Sequence, residues 1–429
     1  MIGPPRDAVG RSRPRGPTIG VYAWGVETIY LDHNATTRPA DAVADAVDEA
    51  TRELWANPSS VHRPGQQVRQ RIELARQSVA TLIGARPREV VFTSGGTESN
   101  NLAIRGLLDA AGPRGVLLTT AIEHSAVREP AEALRDRGGV VEHLSLVADG
   151  RVAPETVERA IEAHAEAADG GVMLISVQWA NNETGVIQPI AAIAEAVHAV
   201  RDRLNAERRG PAALVFHVDA TQAVGKLPVD VKGARIDLMT FAGHKFHGPK
   251  GVGALYVRTG VRLRAVQRGG PQERERRGGT ENTPAIVGLG VAADLARDFL
   301  VDANRIAALE RLRDDFERRV TASLEGTIVN GRDAPRLWNT SNCGFAGLEA
   351  EAILIALSEK GVCASAGAAC SSGSLEPSPV LRAMGIPEAV AHGSVRFSIG
   401  RDTTADELQR AAAAVEAVVG KLLRTLPVA

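Results

Sequence analysis

Short, continuous apolar segments alternate with longer amphipathic segments along most of this chain. The apolar segments are residues 90–93, 115–120, 140–146, 172–177, 214–218 and 236–240. Because their apolar residues are contiguous and do not alternate with polar ones, the pattern predicts strands that are covered on both faces. The segments 69–83, 155–168 and 190–203 have the length and the amphipathic pattern of crossover helices.

This alternation predicts an α/β domain with a mostly parallel sheet over residues 41–298. The rest of the chain has a different pattern. After a charged helical stretch at 295–324, strands are predicted at 337–345 and 394–399, and helices at 349–359 and 404–423. We interpret residues 28–40 and 299–429 as a smaller α+β domain.

Residues 1–27 combine four prolines and four arginines with few large apolar side chains. A segment of this composition cannot bury enough apolar surface to offset the entropy of ordering, so we expect a disordered tail. Its arginines could instead make a weak anionic contact or belong to a transit signal.

Charge and cysteine content narrow the classes of function. The 50 lysines and arginines nearly balance the 51 aspartates and glutamates, so no global field favours nucleic acid or an acidic membrane surface. No apolar run approaches the roughly 18 residues of a membrane span. The three cysteines form no disulfide framework and no metal-ligand spacing. We expect a cytoplasmic protein that acts on small molecules, without a metal site, a nucleic-acid partner or a membrane.

Polar residues follow the predicted strands of the larger domain at their carboxyl ends. Residues 94–100 follow the first strand, and residues 181–185 follow the strand that ends near 177. His124, Asp219 and Lys245 follow three further strands, and Gln222 comes soon after Asp219. Because open α/β sheets bind ligands at the carboxyl ends of their strands, we expect these side chains to line one crevice.

Each of these positions has an ordinary structural alternative. Gly96 precedes a helix, where free backbone N–H groups bind phosphate, but a Ser-Gly-Gly-Thr segment is also common in turns and caps. Asp219 could be a helix N-cap, His124 a hydrogen-bonded structural histidine, and Lys245 a surface lysine. Five strand ends would then need five unrelated explanations.

One ligand explains the strand ends together. A carboxylate after a strand as apolar as 214–218 is costly to bury unless a cation meets Asp219, and a protonated pyridine nitrogen is such a cation. A lysine at the end of a strand, such as Lys245, suits a Schiff base with a carbonyl group. Phosphate loop, stacking ring, carboxylate and lysine are the parts of a pyridoxal 5′-phosphate site.

Cys370 lies in residues 366–374, a segment of alanine, glycine and serine around the one cysteine. Because this segment has almost no bulk to bury, we predict an exposed, mobile loop whose thiol is available for chemistry. Cys343 is most simply a small core residue. Cys363 could resolve a persulfide on Cys370, although a structural role is the stronger interpretation.

With these residues the chain resembles the cysteine desulfurases of the NifS and IscS type, which are fold-type-I pyridoxal phosphate enzymes. The resemblance extends from about residue 29 to the C-terminus. The matching segments are 30–37, 57–62, 92–100, 181–185, 217–222, 243–251, 279–282, 370–377 and 395–401. It implies a large domain with a seven-stranded, mostly parallel sheet between helices, and a smaller domain that carries the catalytic cysteine loop.

The resemblance also implies catalytic and substrate-binding roles. Lys245 would bind the cofactor as a Schiff base and later act as a base, while Cys370 would accept the sulfur. Arg396 would clamp the substrate carboxylate with its planar fork, beside Asn182. His124 is the candidate that assists the thiol of Cys370.

The same family implies a set of cofactor contacts. The ring would contact Asp219 through its pyridinium nitrogen, His124 through its face, and Gln222 and Asn182 through its hydroxyl group. The phosphate would be held by Gly96, Thr97 and His244 of one subunit and by Thr280 of a second subunit, so the resemblance implies a homodimer.

The chain departs from the family pattern at a few places. Ala242 replaces a common serine that contacts the phosphate. Pro271 interrupts a glycine run, and Glu275 replaces a common glycine before Thr280. We expect these changes to affect phosphate binding and the dimer-contact loop, and not the chemistry.

The leading hypothesis is therefore a pyridoxal-phosphate-dependent cysteine desulfurase. It would convert L-cysteine to L-alanine, form a persulfide on Cys370, and pass the sulfur to an acceptor or scaffold protein for iron–sulfur cluster assembly or thio-modification. A selenocysteine lyase or another class-V aminotransferase-type enzyme is the enzymatic alternative. A non-catalytic sulfur carrier is the other alternative, and the intact Lys245, Asp219 and Arg396 count against it.

Overall fold

The computed structural model describes residues 27–109, 111–366 and 376–425. Its strands are β1 (Ile29–Tyr30), β2 (Val90–Thr93), β3 (Gly115–Thr120), β4 (Val140–Leu144), β5 (Val172–Gln178), β6 (Ala213–Asp219), β7 (Leu238–Ala242), β8 (Gly253–Val257), β9 (Ile328–Val329), β10 (Thr340–Gly344), β11 (Val362–Cys363) and β12 (Ser394–Ser398). The predicted disordered tail falls almost entirely outside the described residues.

The helices overlap the predicted amphipathic segments. They are α1 (Asp41–Glu53), α2 (Arg63–Leu82), α3 (Gly96–Leu108), α4 (Ser125–Arg135), α5 (Pro154–His164), α6 (Ile190–Glu207), α7 (Gln272–Glu275), α8 (Thr283–Leu300), α9 (Ala303–Ser323), α10 (Ala350–Ser358), α11 (Pro379–Ala383), α12 (Glu388–His392) and α13 (Ala405–Thr425). The helical stretch predicted at 295–324 is divided between the end of α8 and α9. None of the described helices is long and apolar enough to span a bilayer.

A seven-stranded sheet forms the centre of the fold, in the order β2-β8-β7-β6-β5-β3-β4. Only β8 is antiparallel to its neighbours β2 and β7, and the other neighbouring strands are parallel. This confirms the predicted α/β class with a mostly parallel sheet. The sequence analysis did not predict β8, and it placed the strand that is now β7 two residues too early.

Alternate residues of the central strands belong to two different apolar cores. In β5, Met173 and Ile175 pack with helices α2, α6 and α8, whereas Leu174 packs with α3 and α4 on the opposite face. In β3, Val116 and Leu117 divide in the same way. Helices on both faces explain why these strands are continuously apolar.

A third core lies around two smaller sheets. One is the antiparallel sheet β12-β10-β9, and the other is the parallel pair of β1 with β11. Ile29 and Leu31, from the start of the described chain, pack here with α9, α10 and α13. The chain between Leu31 and α1 therefore runs from this core toward the seven-stranded sheet. The domain boundaries given above stay predictions.

A buried ion pair fixes the segment that precedes Thr280. The Arg76 guanidinium donates to both carboxylate oxygens of Glu273, at 2.7 and 2.8 Å, and Glu273 also accepts the backbone N–H of Phe92 in β2. Both side chains are almost fully buried. Glu273, Arg274 and Glu275 have φ angles of 48°, 57° and 62°, which side chains other than glycine rarely adopt. The ion pair therefore holds a strained turn in place.

We expect Glu273→Ala to lower the free energy of unfolding by about 3–5 kcal/mol, because it leaves the buried Arg76 charge without its main partner. Urea titration of the purified variant measures this loss. Arg52→Ala is the matched control: it removes an exposed pair with Asp48 on α1 and should cost less than about 0.5 kcal/mol. Equal effects of the two substitutions would contradict the role assigned to the buried pair.

Candidate active site

A pocket of about 600 Å³ lies at the carboxyl ends of β2, β3, β5, β6 and β7. It contains the polar residues that the strand-end pattern predicted to converge. These are Gly96, Thr97, His124, Asn182, Asp219, Gln222 and Lys245, and the pocket also contains His244 and, from β12, Arg396, which the family resemblance implied. Its volume lies within the range of small-molecule and cofactor sites.

Helix α3 begins at the edge of this pocket, directly after Gly95. Gly95 has φ 154°, a conformation that favours glycine, and its backbone lies so close to β8 that a Cβ on Gly253 would approach it to 2.7 Å. The first N–H groups of a helix have no acceptor within the helix, so α3 presents donors to the pocket. The Thr221 hydroxyl is buried near Gly96 and has no hydrogen-bond partner in the described part of the chain.

His244 lies in a 3-10 turn, Gly243–Lys245, that follows β7. Its Nδ1 lies 3.2 Å from the Thr36 hydroxyl. Burial, together with the nearby charges of Lys245 and Lys250, lowers the pKa of His244 to about 4. A neutral imidazole at this edge can donate a hydrogen bond to an anion, in place of the hydroxyl that Ala242 does not supply.

The Lys245 amine lies at the end of the same turn. Nζ donates to the backbone carbonyls of Asn34 and Ala35, at 2.7 and 2.8 Å. The amine therefore has a defined position in the pocket, and the segment that follows β1 supplies its acceptors.

Asp219 ends β6 at the floor of the pocket. It is 1% exposed, and it accepts hydrogen bonds from Asn100 Nδ2 at 2.8 Å and from the backbone N–H of Thr221 at 3.0 Å. Within residues 27–109, 111–366 and 376–425, no cationic side chain forms an ion pair with it. A buried carboxylate without a cationic partner fits a ligand whose positive charge lies next to that carboxylate.

His124 is the N-cap of α4, and its ring reaches the pocket wall. Nδ1 accepts the backbone N–H of Ala126 at 3.1 Å, so the neutral ring holds its proton on Nε2. Burial lowers the pKa of His124, while the negative Asp219 opposes this effect. The neutral tautomer suits a ring that stacks on an aromatic ligand and donates a proton from Nε2.

Arg396, in β12, connects the pocket to the third core. Its guanidinium is 2% exposed, donates to Asp32 Oδ1 at 2.6 Å, and donates to the backbone carbonyl of Asn182 at 2.9 Å. These two hydrogen bonds fix the orientation of the guanidinium plane at the pocket wall. A planar guanidinium in a fixed orientation is suited to a carboxylate.

One of the predicted site residues that the structure describes does not lie in this pocket. Thr280 lines a separate, smaller cleft with Ser94 and Arg277. Cys370 lies outside the described residues. Cys363 pairs with Tyr30 in the small parallel sheet, where burial and the neighbouring Asp32 raise its pKa, so it is a poor source of thiolate.

The sequence analysis assigned no role to four polar residues that lie at or beside the pocket. They are Asn34, Asn100, Glu123 and Lys226. Asn34 and Asn100 belong to matching segments, so the motifs contained the signal. Glu123 directly precedes His124, and Lys226 comes four residues after Gln222, but only the fold reveals that both are buried.

Glu123 is buried at the pocket wall. One carboxylate oxygen accepts the Thr120 hydroxyl at 2.7 Å and the backbone N–H of Gln178 at 2.9 Å. The other oxygen is buried with no partner in the described part of the protein. Burial, with a smaller contribution from the Asp219 carboxylate, raises the pKa of Glu123 to about 8.

No group of three or more metal-ligating side chains occurs in the part of the chain that the structure describes. The polar groups of the pocket are instead amides, imidazoles, an amine, a guanidinium and backbone N–H groups around the buried carboxylates of Asp219 and Glu123.

Comparison with known proteins shows which proteins this chain resembles over its length. The family model for aminotransferase class-V matches residues 29–411. A cysteine desulfurase from Nostoc sp. is 44% identical over 402 residues, which cover 94% of this chain and 95% of the relative.

Solved structures agree with the sequence comparison. A NifS-like protein has a TM-score of 0.81 and 32% identity, and the match covers 93% of this chain and 100% of the other. A structure of SspA in complex with cysteine has a TM-score of 0.72 and 34% identity, with 87% and 99% of the two chains covered. These matches confirm the resemblance and the fold type that the motifs implied.

We expect Glu123→Gln to stabilise the cofactor-free protein at high pH and to have little effect near pH 4. Because the pKa of Glu123 is raised on folding, both states are protonated at low pH, and the unfolded chain ionises first as pH rises. The stabilisation should therefore grow from about pH 4.5 to pH 8 and reach a few kcal/mol, at about 1.4 kcal/mol for each unit of pKa difference. Urea unfolding of variant and wild type at several pH values measures it. Parallel pH profiles would contradict the prediction.

Proposed function

The chain belongs to the cysteine desulfurases of the class-V aminotransferase family, and we propose that it converts L-cysteine to L-alanine with pyridoxal 5′-phosphate and retains the sulfur as a persulfide on Cys370. One observation carries the proposal. The buried carboxylate of Asp219 has no cationic side chain paired with it in the described chain, and it lines the same pocket as the fixed amine of Lys245.

The residues of the pocket fit this cofactor. Asp219 would face the pyridinium nitrogen, His124 the ring, and the amides of Asn182 and Gln222 the ring hydroxyl. Lys245 would hold the aldehyde carbon covalently. The phosphate would lie at the start of α3, held by Gly96, Thr97 and His244.

When bound, the cofactor supplies an electron-accepting ring that weakens the bonds at the substrate's α-carbon. The protein supplies the rest. Asp219 keeps a negative charge opposite the ring nitrogen, Lys245 Nζ takes and returns the proton of the α-carbon, and Arg396 binds the substrate carboxylate. His124 offers the proton on Nε2.

Cys370 completes the reaction as the sulfur acceptor. Its Sγ bonds to the sulfur of the substrate, the carbon–sulfur bond breaks, and the carbon takes up a proton. One cysteine and one enzyme thiol thus give one alanine and one enzyme persulfide, so atoms and electrons balance without an external oxidant. An acceptor or scaffold protein would then take the sulfur for iron–sulfur cluster assembly or thio-modification.

We further propose a homodimer. Thr280 is exposed and lies away from the pocket of its own chain, in a cleft beside Ser94 and Arg277. This position supports a contact with the phosphate site of a second copy. The low, odd cysteine count supports a reducing cytoplasm.

Cysteine is favoured as the substrate because a similar protein, SspA, has been solved in complex with it. A selenocysteine lyase is the second candidate, since the carboxylate clamp and the Lys245 amine would serve either amino acid.

The first test locates the sulfur. Incubation of the cofactor-loaded protein with L-cysteine should give a persulfide at Cys370 by peptide mass spectrometry, and Cys370→Ser should reduce alanine release at least about 100-fold, because the acceptor is lost. Cys363→Ser is the matched control and should stay within about twofold of wild type. Alanine release by Cys370→Ser at the wild-type rate would overturn the persulfide route and favour a lyase or a transaminase-like enzyme.

The second test concerns the carboxylate clamp. We expect Arg396→Lys to raise KM for cysteine about 10- to 100-fold with a smaller change in kcat, because an ammonium group cannot make the paired hydrogen bonds of a guanidinium. Steady-state kinetics measure the effect, and the absorbance of the bound cofactor shows whether the pocket is intact. An unchanged KM in a normally loaded variant would remove Arg396 from the substrate site.

A further inference from the structure

Lys226 is a buried lysine next to the pocket, and no step of the proposed reaction uses it. It is 4% exposed, and its Nζ donates to Asn34 Oδ1 at 2.8 Å and to Gln222 Oε1. No carboxylate forms an ion pair with this amine in the described part of the chain. The charged groups that act on it are the cations Lys245, Arg396 and Arg401.

These surroundings favour a neutral amine at position 226. Burial and the three neighbouring cations lower the pKa of Lys226 well below its ordinary value. A neutral amine has two N–H donors, and the structure gives Nζ two acceptors. The hydrogen-bond inventory and the electrostatics therefore agree.

Lys226 and the Asn34 carbonyl together determine which end of the Gln222 amide faces the pocket. Gln222 Oε1 receives the Lys226 amine, and Nε2 donates one hydrogen to the backbone carbonyl of Asn34 at 2.9 Å. Because a carbonyl oxygen only accepts, the assignment of oxygen and nitrogen in this amide is settled by its partners. The second hydrogen of Nε2 is the group that Gln222 offers to the pocket.

The side-chain amide of Asn182, on the same pocket wall, also turns its N–H end toward the pocket. A different set of hydrogen bonds orients it. Asn181 Oδ1 accepts the backbone N–H groups of Glu183 and Thr184, so Asn181 Nδ2 donates to Gln178 Oε1. Gln178 Nε2 in turn donates to Asn182 Oδ1 at 3.2 Å. The N–H end of Asn182 is left for the pocket, and this wall presents two donors to a ligand oxygen.

We propose that Lys226 is a positioning residue: it holds the Gln222 amide with an N–H toward the pocket, and so favours the negatively charged form of the ligand oxygen bound there. The inference rests on the proposed function, because the ring hydroxyl of pyridoxal 5′-phosphate is that oxygen. Without Lys226, Gln222 Oε1 loses its donor and only the Asn34 carbonyl holds the amide, so the N–H is presented to the ring less firmly and the charged form is less favoured.

The test uses two readouts on the cofactor-free and the loaded protein. Lys226→Met removes the donor with little change in side-chain length. We expect it to weaken the binding of pyridoxal 5′-phosphate about fivefold, the value of one ordinary hydrogen bond. We also expect the midpoint of the pH-dependent absorbance change of the bound cofactor to rise by about half a unit or more, because the charged ring oxygen is less favoured.

A double-mutant cycle tests whether Lys226 acts through Gln222. Lys226→Met in a Gln222→Ala background should leave the absorbance midpoint of Gln222→Ala unchanged. Additive shifts of the two substitutions would overturn the proposal. Lys226→Gln, which keeps an N–H donor, should return the midpoint toward the wild-type value, and Lys226→Leu replaces Lys226→Met should the latter not fold.

Asn339→Ala is the matched control. Asn339 Nδ2 donates to the same Asn34 Oδ1 as Lys226, at 3.0 Å, but does not contact Gln222. We expect no shift of the midpoint in this variant. A shift equal to that of Lys226→Met would show that Lys226 acts through Asn34 and would overturn the proposal. Failure of the wild type to bind the cofactor would instead reject the proposed function.

Discussion

The geometry of the pocket depends on the hydrogen bonds of Asn34. Its backbone carbonyl accepts both the Lys245 amine and the Gln222 amide, and its side chain accepts the Lys226 amine and donates to Thr340 in β10. One asparagine thus ties the reactive lysine and the pocket wall to the third core. Because the backbone at Asn34 is fixed from both sides, Lys245 Nζ has one defined position and not a family of rotamers.

The strand ends could be predicted from sequence because the periodicity of the strands is a local signal. Asp219 and Lys245 directly follow apolar runs, and the rule that parallel strands end at one edge brings them together. The sequence placed Gly96 before a helix, whereas α3 begins at Gly96 itself, because the loop must pass close to β8. The strand β8 itself was missed.

The rest of the site depends on burial, which no local pattern records. Lys226 and Glu123 are ordinary charged residues in the sequence, and only the packing of the folded chain excludes water from them. Their altered protonation follows from that exclusion. Thr280 shows a different limit, because its proposed role requires a second copy of the chain, and Cys370 lies outside the described residues, so its position stays a prediction.

Two buried aspartates, Asp237 directly before β7 and Asp219 at the end of β6, differ in whether a cation pairs with them. Asp237 lies beside the sheet with Arg201 at 3.1 Å and Arg258 at 2.6 Å, so its charge is neutralised by the chain itself. Asp219 has only an amide and a backbone N–H as partners.

A buried polar group without its full complement of partners costs about 1–3 kcal/mol, and more when it is charged. The unpartnered oxygen of Glu123 lies at the same pocket, where a cationic, hydrogen-bonding ligand would offset such a cost. Ligand binding and folding are therefore coupled at Asp219: a ligand that meets this carboxylate stabilises the fold by mass action.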